Sequence, residues 1–248
     1  MKYGFRGFTL AEVLITLGII GVVAALTIPV LMNNYQKSEY VTKLKKFYSQ
    51  FNQASTLLTQ DYNCSNNLKC TGLFEYISEE TPEEERDASE SERIYKIAKE
   101  FAKKFKLARD CSSEETIENC QGIVSSEWYD GSNPEDYTSD YHFITADGTS
   151  VLIDPSGDCH YDEDIKMEHC GSVQVDVNGA KGPNFWGRDI FAFHLVNGKG
   201  IHLLPFGSTQ NEHAEGWWSD EDNGCVSQTK AGTNCAGRVM GEGWQMNY

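Results

Sequence analysis

Between Phe8 and Met32 the sequence has a single ionisable side chain, Glu12, and no cysteine precedes Cys64. A stretch this poor in charge has the length of a membrane-spanning helix, which needs ~20 apolar residues. A cleaved secretory signal would need a shorter apolar core followed by a small-residue site, and "TIPVLMNNYQ" offers none. The run is therefore expected to stay in the mature protein. Basic residues are also scarce: 21 Lys and Arg stand against 37 Asp and Glu, a net charge of -16. That balance argues against nucleic acid as a partner. Catalytic signatures are missing too. There is no G-x-S-x-G, no H-E-x-x-H and no Gly-rich phosphate loop, so a membrane-anchored extracellular enzyme has no motif to carry it, and no enzymatic activity is expected. No internal repeat and no long low-complexity tract is present.

What is present begins with helical periodicity. Beyond the apolar run, Tyr40, Val41, Leu44, Phe47, Tyr48, Phe51, Ala54 and Leu58 recur at three- and four-residue steps, while Lys43, Lys45, Gln50 and Gln53 take the other face. One helix from Phe8 to near Thr59, roughly 80 Å long at 1.5 Å per residue, is expected. Its first half is apolar all round and should protrude; its second half has one apolar stripe and should pack on a domain. Pro29 should kink it. "TPEEE" at Thr81 to Glu85 reads as a helix start, with Ser89 or Ser91 as a second possible one, and Ile94, Ile97, Ala98, Phe101 and Phe105 supply the stripe. The acidic residues Glu79, Glu80, Glu83, Glu84, Glu85, Asp87, Glu90 and Glu92 read as a solvated loop and helix start.

From Tyr141 the pattern changes to strands. "YHFITA" and "TSVLI" flank Asp147-Gly148, "SVQVDV" follows, and "IFAFHLV" and "GIHLL" flank Asn197-Gly198. Short consecutive strands with Asp-Gly and Asn-Gly turn signals predict an antiparallel sheet. The tail after Pro205 is rich in Gly and Trp and reads as an irregular, disulfide-tied segment. The eight cysteines form four sequence-local couples: Cys64 and Cys70, Cys111 and Cys120, Cys159 and Cys170, Cys225 and Cys235. Their even number beyond an anchor points to an oxidising compartment. Local pairing is expected, although eight cysteines allow 105 connectivities. Zinc is the competing reading at "CHYDEDIKMEHC", where His160 and His169 stand beside Cys159 and Cys170, but structural zinc sites bring their ligands in tighter pairs.

Glu12 remains to be explained. A charged side chain within a bilayer is costly, so it calls for a partner and is a functional candidate by default. Lys2 and Arg6 stand too far N-terminal on the helix to supply one. A cut after Gly7 would give Phe8 a free amine, and on a neighbouring subunit that amine could meet the Glu12 carboxylate. "RGFTLAEVLI" resembles the N-terminus of type IV pilins and of type II secretion pseudopilins. The matching elements are a short basic leader ending in Gly7, Phe8 as the new N-terminus, Thr9, Leu10, Glu12 as the fifth mature residue, and a proline, Pro29, well along the apolar helix.

The resemblance covers about residues 1–35. It implies cleavage between Gly7 and Phe8 by a membrane prepilin peptidase and N-methylation of Phe8. It further implies residence in the bacterial inner membrane, and filament assembly with copies of itself or other pilins by inner-membrane machinery. It also implies an α+β fold, a long N-terminal helix on an antiparallel sheet, often with a C-terminal disulfide loop. The expected organisation is a leader at 1–7, a membrane and assembly helix at 8–32 and an extracytoplasmic pilin-like domain at 33–248. Lys2 and Arg6 favour a cytoplasmic N-terminus; Lys37, Lys43, Lys45 and Lys46 weaken that asymmetry, and the cysteines place the large domain outside the cytoplasm. Four cysteine couples and the acidic insertion depart from a simple pilin and leave pilus or pseudopilus, major or minor subunit, open.

One further site is a candidate. In "VDVNGAKGPNFWGRDIF", Asp176, Asn178 and Asp189 alternate with glycines after a strand, an oxygen-rich composition that suits calcium. Some pseudopilins hold calcium in a loop near the sheet. The competing reading is a turn-rich connection in which Asp176 and Asn178 cap backbone amides. Apart from calcium no cofactor is expected. The rival function is an adhesin or ligand-binding protein on a pilin-type anchor, using Trp217, Trp218 and Trp244; these aromatics also suit a small core.

Overall fold

The computed structural model describes residues 7, 9–75, 83–111, 141–198, 200–208, 224–225 and 231–248, with the side chains of 83–91 outside that description. The chain divides into two compact units, Met1–Glu39 and Tyr40–Tyr248. Helix α1, Leu10–Asp61, belongs partly to each.

In the first unit α1 carries Leu14, Leu17, Ile20, Val22, Leu26, Val30 and Leu31, all exposed. The helix is long and apolar enough to cross a membrane. Thr27 Oγ1 donates back to the Val23 carbonyl at 2.8 Å, so a hydroxyl in this apolar stretch is satisfied within the helix. Pro29 lies inside α1 and has no N–H to give, yet the helix continues past it for about nine more turns.

In the second unit the expected stripe is the buried one: Tyr40, Val41, Leu44, Phe47, Phe51, Ala54 and Leu58. It packs on one face of a six-stranded sheet. The strands are β1 Leu107–Asp110, β2 Tyr141–Thr145, β3 Ser150–Asp162, β4 Met167–Asp176, β5 Ile190–Val196 and β6 Leu203–Pro205, adjacent in chain order and antiparallel throughout. Side-chain alternation turns Val151, Ile153, Val173, Val175, Phe191 and Phe193 into the main core with α1. Leu152, Ile190 and Ala192 meet Trp186 in a smaller second cluster. The phenylalanines interlock: Phe51 stacks on Phe101 at 5.4 Å, and Phe47 lies 6.2 Å from Phe193. Helix α2, Glu83–Ala102, buries Ile97, Ala98 and Phe101 of its predicted stripe. It is one continuous helix without a second start at Ser89 or Ser91. The expected cap Thr81 lies outside the described residues. A short helix, α3, Cys235–Gly241, closes the C-terminal part.

Three details differ from expectation. β1 was not legible in the pattern, because only Leu107 of its four residues is even partly buried. β3 and β4 are longer than "TSVLI" and "SVQVDV" and continue to a turn at Asp162–Met167. At Asn197-Gly198 the connection is not a two-residue turn: Val196 N–H pairs with the His202 carbonyl, so five residues intervene. Asn197 has another task there. Its Oδ1 accepts the Leu68 N–H at 2.8 Å and its Nδ2 donates to Glu168 at 2.6 Å, which ties the Cys64–Cys70 loop to β4. The Asp147-Gly148 signal does mark a tight hairpin, with three residues between the paired Thr145 and Thr149 and Gly148 at φ +86°. Gly171 is required by crowding: a Cβ there would lie 2.3 Å from the Asp154 carbonyl oxygen, at the irregularity where β3 and β4 change register.

Candidate functional site

The N-terminal candidate is built at the first turn of α1. Thr9 precedes the helix and Glu12 lies within its first turn. The Glu12 carboxylate accepts the Thr9 backbone N–H and the Thr9 hydroxyl, each at 2.8 Å, and the Thr9 hydroxyl oxygen accepts the Glu12 N–H at 3.3 Å. This is a capping box, which satisfies two of the donors that every helix start leaves unpaired. The Thr-x-x-Glu spacing before an apolar run was readable in "TLAE", and the sequence reading passed over it. Glu12 thus has a partner inside its own chain. Gly7 is exposed, and Phe8 lies outside the described residues.

Residues 3–28 match the prokaryotic N-terminal methylation motif. That motif is the prepilin signature of type IV pilins and pseudopilins. No curated protein and no solved structure matches the chain. The matched residues run into the exposed apolar part of α1, and the methylation motif and that helix together fit a membrane-anchored N-terminus.

The cysteines of the second unit are joined locally: Cys64 with Cys70, Cys159 with Cys170 and Cys225 with Cys235. Cys111 is disulfide-bonded as well, and its sequence neighbour Cys120 lies outside the described residues. The zinc reading at "CHYDEDIKMEHC" loses both thiolates to the Cys159–Cys170 bond, because a sulfur in a disulfide has no charge or lone-pair strength to offer zinc.

The oxygen-rich loop does bring its predicted residues together. Asp176 and Asp189 are both fully buried, and each carboxylate is held by two backbone amides: Asn178 and Gly179 donate to Asp176, Asn184 and Phe185 to Asp189. Burial and then the neighbouring charge of Asp189 push Asp176 up to about 8, against the pull of its two amides. Burial raises Asp189 as well. Asn178 Nδ2 donates to the carbonyls of Lys181 and Gly182, and Asn178 Oδ1 is buried with no hydrogen-bond partner. Two repelling carboxylates and an orphaned amide oxygen fit the donor chemistry of a hard cation. Among the described residues no three His, Cys, Asp or Glu side chains converge on a metal position, so amide, carbonyl or water oxygens would complete the set.

Of the three tryptophans proposed for ligand binding, Trp217 and Trp218 lie outside the described residues. Trp244 is half-buried. It packs edge-on against Tyr48 at 5.7 Å, under the Lys45 ammonium, and so joins the C-terminal segment to α1. Arg238 and Tyr248 secure the same segment: the guanidinium pairs with Glu242 and lies over the Tyr248 ring, whose hydroxyl donates to the Gly187 carbonyl at 2.8 Å.

Proposed function

We propose that this chain is a structural subunit of a type IV pilus or of a type II secretion pseudopilus. In this reading a prepilin peptidase cuts between Gly7 and Phe8 and the new amine is methylated. The subunit then waits in the bacterial inner membrane with its N-terminus in the cytoplasm, and joins copies of itself or other pilins through α1. The observation that carries it is the continuity between the methylation motif at 3–28 and a helix whose apolar side chains are exposed over the same stretch.

The capping box gives Glu12 two successive roles. Before assembly its carboxylate is held by Thr9 of its own chain, which lowers the cost of keeping it near the bilayer. On assembly, the Phe8 amine of a neighbour is a stronger partner than a neutral amide or hydroxyl, because both members of that pair are ionised. The exchange favours the assembled state and leaves folding of the distal domain untouched. Intact-mass measurement of the mature protein from its native host tests the reading. Loss of Met1 to Gly7 with one added methyl group is expected; a mature chain that begins beyond residue 25 would restore the secretory-signal reading.

The buried Asp176–Asp189 pair, with the orphaned Asn178 oxygen beside it, favours calcium in this loop as a second element of the proposal. Calcium would neutralise the repulsion between the two carboxylates, and Asp176, Asp189 and Asn178 would hold it.

A further inference from the structure

The Cys159–Cys170 disulfide removes both thiolates from "CHYDEDIKMEHC" but leaves its two histidines in place. His160 of β3 and His169 of β4 are partners in the strand register. Side-chain alternation puts them on the face of the hairpin opposite the buried cysteines, and the disulfide beside them keeps the strands from slipping. Their ring centres are 5.6 Å apart. Two imidazoles bound to one ion at ~2.0–2.1 Å have ring centres roughly 4.5–6.5 Å apart, so this pair needs little rearrangement to grip one.

The exposed ring also has an oxygen close to one of its nitrogens. His160 Nδ1 faces Asp158 Oδ1 at 3.6 Å, within ion-pair reach and just beyond a direct hydrogen bond, so a small ring rotation brings the two together. An acceptor on one ring nitrogen favours the tautomer whose other nitrogen carries a free lone pair, which is how metal-bound histidines are held in general. The His160 side chain is 55% exposed, which provides an entry path.

We propose that His160 and His169 form a two-imidazole chelate for a divalent transition-metal ion, with copper(II) bound most tightly. Water completes the coordination: the buried His194 ring lies 5.3 Å from His169, but among the described residues no three His, Cys, Asp or Glu side chains form a metal-holding group. Imidazole ligands select against the hard ions calcium and magnesium, and first-row affinities rise to copper(II) and fall again at zinc. Asp158 is a positioning residue in this scheme.

The test uses the untagged full chain in detergent, stripped with a chelator and titrated with copper(II) chloride, followed by calorimetry and electron paramagnetic resonance. One saturable site with hyperfine coupling to two nitrogens is expected. Nickel and zinc should bind more weakly and calcium should not compete. His160→Gln and His169→Gln should each abolish the two-nitrogen signal, and Asp158→Asn should weaken binding about tenfold or more. His160→Gln alone decides the matter should His169→Gln unfold, because His160 is exposed; an unchanged thermal midpoint without metal shows that this variant is folded. Saturable two-nitrogen binding that survives His160→Gln overturns the proposal, and so does the absence of a saturable copper site in the wild-type chain.

Discussion

Two leucines on α1 separate the roles of its two parts. Leu44 is fully buried between the helix and the sheet, whereas Leu17 is 60% exposed. Leu44→Ala removes its packed methyl groups from the main cluster and leaves a cavity bounded by rigid neighbours. Buried Leu→Ala changes cost ~2.7–5.0 kcal/mol. Against a typical folding stability of ~5–15 kcal/mol, that is roughly a fifth of the total or more, or about a hundredfold or greater shift in the unfolding equilibrium. Leu17→Ala removes the same atoms from a side chain that is mostly exposed and lies outside the buried core of the described residues, so its effect on domain stability should fall within about ±0.5 kcal/mol. Under the proposed function α1 would meet neighbouring helices in a filament, and the effect should appear in filament yield instead. The assay is urea unfolding of the full chain in detergent followed by tryptophan fluorescence, with a sheared-filament fraction measured alongside. If Leu17→Ala lowers the urea midpoint as far as Leu44→Ala does, the exposed stretch is part of the folded core and the division of labour along α1 is wrong. A Leu44→Ala cost under about 1 kcal/mol would equally refute the packing argument.

Glu12→Leu should give a folded, cleaved protein that stays in the membrane fraction and enters filaments poorly, with partial rescue by Glu12→Asp. Glu12→Gln separates the two roles, because glutamine keeps the capping box but not the charge: full assembly of that variant would mean that the cap, and not an ion pair, is what filaments need. Stability should fall as pH drops from about 6.5 toward 4, because burial holds His142 and His194 near about 4 in the folded chain while the unfolded chain takes up those protons near 6.5. The linkage is worth on the order of 3 kcal/mol for each ring, and urea midpoints of His142→Gln and His194→Gln variants that shift with pH over this window as the wild type does would show that the rings are not buried and neutral. Asp176 acts with the opposite sign. Its raised folded value means that the folded chain holds the extra proton, so metal-free stability should decline as pH rises toward about 8. Asp176→Asn should flatten that decline, and calcium should flatten it in the wild type only; calcium without effect on either protein would remove the loop from consideration as a cation site. Mapping of unreduced peptides should recover Cys225 joined to Cys235, and free thiols there would contradict the oxidising-compartment argument.

The long helix, the order of the strands and the prepilin-type N-terminus were readable in the sequence because each is a local or periodic signal. The α1 stripe repeats at helical spacing, Asp147-Gly148 marks its own turn, and the methylation motif lies within one short stretch. The capping box was equally local and was missed because Glu12 was weighed as a membrane charge before it was weighed as a helix-start residue. The five-residue connection after β5 was misread for a different cause. Asn197 next to Gly198 has the composition of a tight turn, but its amide is taken up by Leu68 and Glu168, which are far away in sequence.

Periodicity and composition, then, determined which segments are helix and strand and which part of the chain is apolar enough for a membrane, since backbone geometry alone sets those repeats. Only the tertiary structure decided what depends on approach between distant segments. It placed two carboxylates, Asp176 and Asp189, together out of water, where burial and then their mutual charge raise Asp176 to about 8. It turned Trp244 onto Tyr48, joining the C-terminal segment to α1. It paired β3 with β4 so that one hairpin buries a disulfide on one face and aligns His160 with His169 on the other. Such contacts have no period, and the energy of burying or opposing charges arises only when folding removes the water between them.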